Sequence, residues 1–190
     1  MDLSRIRAIQ RSEFRDPERF LVALAKLEPR LAASNLDSRV KQLRTNNLKE
    51  WREARQAAIF CYGMAQKMER PIYLCREAAQ DYDFVASYVE DETQYFVPVQ
   101  LKEVVPDSLN ATSSVQEIIQ SLTKYVDSKD LTVAIHLNRQ VHFDPKTIIV
   151  PPLRIGALWV FGAISADQSV WGLWGNLLEQ PEGSTFTYPI

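Results

Sequence analysis

Two periods divide the chain. Up to Met68 the apolar positions recur at helical spacing, with Phe20, Leu21, Leu24 and Leu27 following Asp16-Pro17-Glu18, where Asp suits an N-cap and Pro a first turn. Pro29 predicts a stop or kink, Asp37 the cap of another helix, and a long helix is expected from Leu48 to Met68. In that helix Ala54, Ala58, Cys61, Ala65 and Met68 form one stripe, and its small residues allow close packing against a sheet. After Arg70-Pro71 the period falls to two, predicting strands at 72-IYLCRE-77, 82-YDFVASYV-89 and 95-YFVPVQLKEVV-105, with a hairpin turn at 90-EDETQ-94. Ser108 to Tyr125 reads as a helix whose buried stripe is Val115, Ile118, Ile119, Leu122 and Tyr125. The run 131-LTVAIHL-137 has the character of a strand buried on both faces, crossing back into the sheet beside its predecessor. Finally, 155-IGALWVFGAI-164 and 170-VWGLWGNLL-178 predict a hairpin around 165-SADQS-169.

This order of helix, three strands, helix and strand predicts an α/β fold with a mixed sheet. Residues 1–47 read as an N-terminal helical extension and 48–190 as the α/β domain with its C-terminal hairpin; a single domain throughout is the alternative. Hydrophobic residues at 46% and charged residues at 24% exclude a mainly disordered, collagen-like or membrane-spanning chain. No apolar run approaches the ~20 residues that cross a bilayer, and the first residues carry no signal-peptide core, so a cytoplasmic location without a membrane partner is expected. Cys61 and Cys75 lack metal or redox spacing and read as buried thiols. His136 and His142 read as structural, while Trp159, Phe161, Trp171 and Trp174 could stack on bases or bury the C-terminal hairpin.

Net charge is −2, but residues 1–80 carry 16 Lys/Arg against 10 Asp/Glu, and residues 81–190 carry 6 against 14. The balances are +6 and −8. Basic helices beside an acidic, metal-gathering half are one reading, and a solvated helix surface the other.

The chemistry-bearing pattern lies in the second and third strands. On 94-QYFVPVQLKEVV-105, Val97, Val99, Leu101 and Glu103 point one way, and Gln100 and Lys102 the other. Asp83 begins the preceding strand, so a hairpin brings a carboxylate, an amide and an ammonium to one end of a sheet. Such a set can hold a divalent metal and polarise a water beside it.

Asp83, then Gln100-Leu101-Lys102 on the next strand, with a carboxylate-bearing helix before and a helix and strand after, resembles the PD-(D/E)XK nuclease superfamily. The likeness covers residues 48–137. The superfamily's usual motif is Asp, then Asp or Glu separated by one residue from Lys, with a further Glu from the first core helix. The resemblance implies a restriction-endonuclease-like core and a Mg²⁺- or Mn²⁺-dependent endonuclease, a hydrolase of phosphodiester bonds. It assigns Asp83, Gln100, Lys102 and Glu53 as catalytic, with Asp83, Gln100 and Glu53 holding the metal. Asp81 competes with Asp83, and Glu50 with Glu53. Gln100 departs from the family pattern, being neutral where a carboxylate is usual. That departure keeps a second reading open, a catalytically inactive interaction module or regulatory subunit with a nuclease-like fold. DNA is the expected partner, RNA the alternative, bound through phosphate contacts from Lys41, Arg44, Lys49, Arg52 and Arg55. A homodimer or a partner subunit would suit either reading.

Overall fold

A computed structural model describes residues 9–41, 45, 48–76 and 82–190. Helix α1 (Pro17–Ala33) opens as its sequence dictates: the Asp16 carboxylate accepts from the N–H groups of Glu18 at 2.9 Å and Arg19 at 3.4 Å. The stop or kink expected at Pro29 does not end the helix, which runs on to Ala33. Pro29 removes one N–H donor, but the last turn is fastened by the Ser34 hydroxyl, which donates to the Leu31 carbonyl at 2.6 Å. One helical turn, Ser38–Lys41, follows, with the Lys41 N–H donating to the Asp37 carbonyl at 3.1 Å.

Helix α2 (Lys49–Met68) buries Ala54, Ala57, Ala58 and Cys61 and ends at Glu69, which adopts the left-handed conformation. Seven strands form one mixed sheet in sequence order: β1 (Tyr73–Cys75), β2 (Phe84–Glu90), β3 (Thr93–Val104), β4 (Ser128–Leu137), β5 (Ile155–Ala163), β6 (Val170–Gly175) and β7 (Glu182–Thr187). The pairs β1–β2, β2–β3, β5–β6 and β6–β7 are antiparallel, while β3–β4 and β4–β5 are parallel. Because α2 packs on β1 and β3 and also on β6 and β7, the sheet must curl around it. The core on that side joins Ala58 and Cys61 to Leu74, Leu101, Ala134, Phe161, Trp171 and Phe186. Among the described residues no helix is long and apolar enough to cross a membrane.

The opposite face is covered by α3 (Val115–Ser121), far shorter than the helix expected over 108–125. Ser114 caps it, its hydroxyl oxygen accepting the Glu117 N–H at 3.1 Å, and Ser114-x-x-Glu117 is a capping-box spacing that marks the true start. Before it, Leu109 and Asn110 donate to the Pro106 carbonyl, forming turns that Arg139 clamps through Val105, Asp107, Asn110 and Ala111. After α3 the chain continues as a 3₁₀ turn, Leu122–Lys124. Val115, Ile119 and Leu122 meet Val85, Val104, Val133 and Ile135 in the second apolar layer.

β4 is buried along its C-terminal seven residues, as its uninterrupted apolar run predicts. Strand β7, flanked by Pro181 and Pro189, shows a single large apolar residue, Phe186, and its pattern alone carries little strand signal. The β4–β5 register shifts between Ser128 and Thr132, and Gly156 lies against the excess chain of β4. A methyl group at Gly156 would stand 2.4 Å from the Lys129 carbonyl oxygen, a backbone atom with no rotamer to yield. Gly156→Ala is therefore expected to destabilise by about 1–3 kcal/mol, the usual range for overpacking. Urea unfolding checks it, and an unchanged midpoint would show that the bulge relaxes.

Candidate functional site

Register builds the site. Phe84 pairs with Val99, so Asp83, one residue before β2, lies beside Gln100 on β3. The Asp83 N–H donates to the Val99 carbonyl at 2.9 Å, and its carboxylate accepts the Leu101 N–H at 2.6 Å. The same carboxylate oxygen also accepts the Gln100 side-chain amide. Alternation on β3 sends Val99 and Leu101 toward α2 and Gln100, Lys102 and Val104 toward α3. Asp83 stands at the strand's beginning, where groups from both faces reach it.

Glu53 comes from the α2 side. It is part-buried and pairs with Lys49 one turn earlier at 3.4 Å, whereas Glu50 is exposed. Burial pushes the Asp83 carboxyl above its usual range, the hydrogen bond from Leu101 opposes this, the Glu53 charge adds to it, and Lys102 and Lys49 draw it back. Lys102 is held below the usual lysine range by burial first and by Lys124 second, while Asp83 works the other way. Asp83 and Gln100 are thus in direct contact, while Glu53 and Lys102 bear on Asp83 through charge alone.

The orientation of Gln100 differs from the arrangement of a carbonyl ligand beside Asp83. Its NH₂ faces the carboxylate, because an ionised acid can only accept. A half-turn of the amide would exchange nitrogen for oxygen and present the carbonyl in its place.

The cationic residues are scattered in their engagements. Lys41 donates to the Ala32 carbonyl at 2.8 Å, near the end of α1. Lys49 is exposed beside Glu53, and Arg52 lies 3.9 Å from Glu103, which also accepts the Asn138 amide at 2.5 Å. Arg55 bonds Glu28 at 3.0 Å and Gln168 at 3.2 Å, with the rings of Trp171 and Tyr188 each 5.8 Å from its guanidinium carbon. It ties α1, α2, the β5–β6 turn and the C-terminal segment together. Arg44 and Asp81 lie outside the described residues.

His136 is buried in the core, its Nδ1 3.2 Å from the Gln56 amide nitrogen and its ring stacked on Phe161 and Trp171. His142 is an exposed loop residue. Trp159, Phe161 and Trp171 are buried beneath α2, and Trp174 meets Phe143 edge-on at 5.1 Å on the other face. The aromatic cluster thus buries the C-terminal hairpin. Both cysteines are buried and free.

Lys124 is the site neighbour that sequence reading passed over. It sits 22 residues after Lys102 on a separate element, and its charge helps hold Lys102 below the usual lysine range. Among the described residues no three His, Cys, Asp or Glu side chains converge as a metal-ligand group, so the donors at the site are two carboxylates and an amide. That set suits Mg²⁺, which is commonly held by one or two carboxylates and completed by water and phosphate oxygens. No family model, curated protein or solved structure matches the chain.

Proposed function

We propose that this chain is a metal-dependent phosphodiesterase of the nuclease type, acting on DNA through a PD-(D/E)XK-like core formed by α2, β1, β2, β3, α3 and β4. The observation that carries the reading is the Asp83 carboxylate held by the Leu101 N–H and the Gln100 amide at the start of β2, with Lys102 two residues further along β3. The element order and the parallel return of β4 beside β3 support it.

Asp83, Glu53 and the Gln100 carbonyl are the groups that would hold Mg²⁺ or Mn²⁺. When bound, the ion supplies Lewis-acid polarisation of a phosphate oxygen and lowers the pKa of a water. Lys102 lies beside Asp83 with its ammonium destabilised by burial and by Lys124. It can orient the attacking water, release or hold a proton, and offset charge on the phosphorane. The Leu101 N–H fixes the Asp83 carboxylate against rotation, so the negative charge is aimed before any ligand arrives.

Two observations favour the second reading, an inert module on the same fold. The neutral Gln100 completes a hydrogen bond with Asp83 without any cation, and Arg55 is committed to an internal clamp. Purified protein incubated with plasmid, linear duplex and single-stranded DNA, with Mg²⁺ or Mn²⁺ and with chelator, separates them. The nuclease reading expects chelator-sensitive cleavage that Asp83→Asn removes. Cleavage by no metal form would leave the inert module.

Gln100→Glu gives a test that needs no turnover. It would set a carboxylate against Asp83 and remove the amide donor, so the metal-free variant should melt lower than wild type. Saturating Mg²⁺ should recover that loss and raise the melting temperature more than it does for wild type. Equal Mg²⁺ shifts in both proteins would argue that position 100 does not face the ion.

A further inference from the structure

Trp159, Phe161 and Trp171 lie beneath α2, but Trp174 stands on the opposite face and is only part-buried. Glycine sets its place. Gly172 precedes it by two residues on the same face of β6, and Gly183 pairs with it from β7. A Cβ at Gly172 would run into the six-membered ring of the indole, and one at Gly183 would stand 3.1 Å from its Cδ1, so the indole rests on two positions that carry no side chain. Phe143, from the connection between β4 and β5, stands beside it with ring centres 5.1 Å apart and planes at 64°. The two rings make a corner.

That corner walls a cleft of about 460 Å³ at the carboxyl ends of β4 and β5, within the range of about 300–1,000 Å³ usual for small-molecule sites. Leu137, Ala163 and the exposed Val141 and Ile164 complete its apolar lining. The segments around it are fastened. Arg139 donates to the Val105 carbonyl at 2.8 Å and the Asn110 carbonyl at 2.7 Å, and the Asp144 carboxylate accepts the Lys146 N–H at 2.9 Å. In the β5–β6 turn the Asp167 carboxylate accepts the hydroxyls of Ser165 at 2.6 Å and Ser169 at 2.8 Å. Recognition is thereby left to hydrogen bonding rather than charge. The Arg139 guanidinium is committed to its clamp, and no carboxylate lines the cleft among the described residues. The exposed Gln140 and His142 side chains and the Trp174 indole N–H have no hydrogen-bond partner among those residues.

We propose that this cleft binds a nucleobase, unpaired in a single strand or carried by a free nucleotide, which stacks on the Trp174 indole and turns its polar edge to Gln140 and His142. A base is a planar ring with apolar faces and a neutral hydrogen-bonding edge, and the cleft offers an aromatic corner beside an amide and an imidazole, each able to donate and to accept. A sugar or a phosphate would make no use of the rings, and an aliphatic ligand no use of Gln140 and His142. A base within a duplex is already stacked on both faces, so duplex DNA does not enter. The site stands without the nuclease reading, although β3, β4 and β5 run parallel and set it at the same end of the sheet as Gln100 and Lys102.

The test titrates the full chain, in chelator, into a short single-stranded DNA carrying one fluorescent purine analogue whose emission falls when it is stacked. Wild type is expected to quench the single strand and to leave the same analogue in a duplex unquenched. An unlabelled single strand should compete, and an abasic strand of equal length should not. A nucleoside monophosphate that competes as well as the strand would assign the site to free nucleotides, and competition by the strand alone would assign it to an unpaired base. Trp174→Leu should weaken binding about tenfold, the loss of one base–aromatic stack. Gln140→Ala with His142→Ala, both at exposed positions, should weaken it about fivefold. Tyr95→Leu, which removes an exposed ring at the far end of β3, should match wild type. The proposal is overturned if wild type quenches nothing, if the abasic strand competes equally, or if Tyr95→Leu weakens binding as much as Trp174→Leu. Unchanged binding in a folded Trp174→Leu overturns it too; should that variant fail to fold, unchanged binding in the Gln140 and His142 double variant does so. Quenching by a wild type that cleaves nothing with Mg²⁺ or Mn²⁺ keeps the base site and ends the nuclease reading; cleavage without quenching does the reverse.

Discussion

On the nuclease reading, Lys102→Ala is expected to reduce metal-dependent DNA cleavage by about 10²–10⁴-fold, the range for losing a group that moves or holds a proton in the transition state. Binding of duplex DNA should change far less, because the main use of the Lys102 ammonium comes as charge builds on the phosphorane. The fold should persist, since the side chain is only part-buried and makes no salt bridge among the described residues. Asp83 calls for a different substitution. Asp83→Ala would leave the Leu101 N–H and the Gln100 amide without their acceptor, mixing a structural loss with a chemical one. Asp83→Asn keeps an oxygen for those donors and removes the charge, so it should abolish metal-dependent cleavage with little change in melting temperature. Single-turnover cleavage beside equilibrium DNA binding reads both variants. If Lys102→Ala keeps more than about a tenth of wild-type activity, the lysine is outside the proton-transfer path.

Trp171→Ala is expected to destabilise the protein by about 3–5 kcal/mol, the cost of truncating a fully buried aromatic side chain. Trp171 is 1% exposed, its indole N–H donates to the Gln168 carbonyl at 2.8 Å, and His136 and Phe161 lie against its ring. The Arg55 guanidinium also sits over it, so the cavity would loosen the clamp that joins α1 and α2 to the β5–β6 turn. In urea the midpoint should fall by roughly 2 M, taking a slope of about 2 kcal/mol per M. Trp171→Phe should lose much less, keeping the stack while giving up the N–H donor. A loss below about 1 kcal/mol for Trp171→Ala would mean that the aromatic layer does not hold the sheet around α2.

What the residues determine by themselves is local in origin. Asp16-Pro17 sets the start of α1, and the alanine and cysteine stripe of α2 announces a helix that lies close to a sheet. Alternation in β2 and β3 orders their faces, and the continuous apolar run of β4 announces a strand covered on both sides. Periodicity carries these because each depends on which neighbours share a face within a few residues. The putting together of Asp83 with Gln100 was legible for the same reason, since a hairpin brings the start of β2 beside the end of β3; the turn itself is Asp91-Glu92, shorter than the expected 90–94 because the strands pair through Glu90 and Thr93. Tertiary structure decided what depends on distant partners. It shortened the helix expected over 108–125 to Val115–Ser121 because the turns around Pro106 and Asn110 are held by Arg139, about thirty residues on. It added β7, whose strand character comes from pairing with β6 and from packing Phe186 into the α2 core. Arg55 became an internal clamp because the curl of the sheet returns Trp171 and Tyr188 to α2. Lys124 bears on Lys102 for a like reason: its charge acts from a separately packed element, and no spacing along the chain announces that influence.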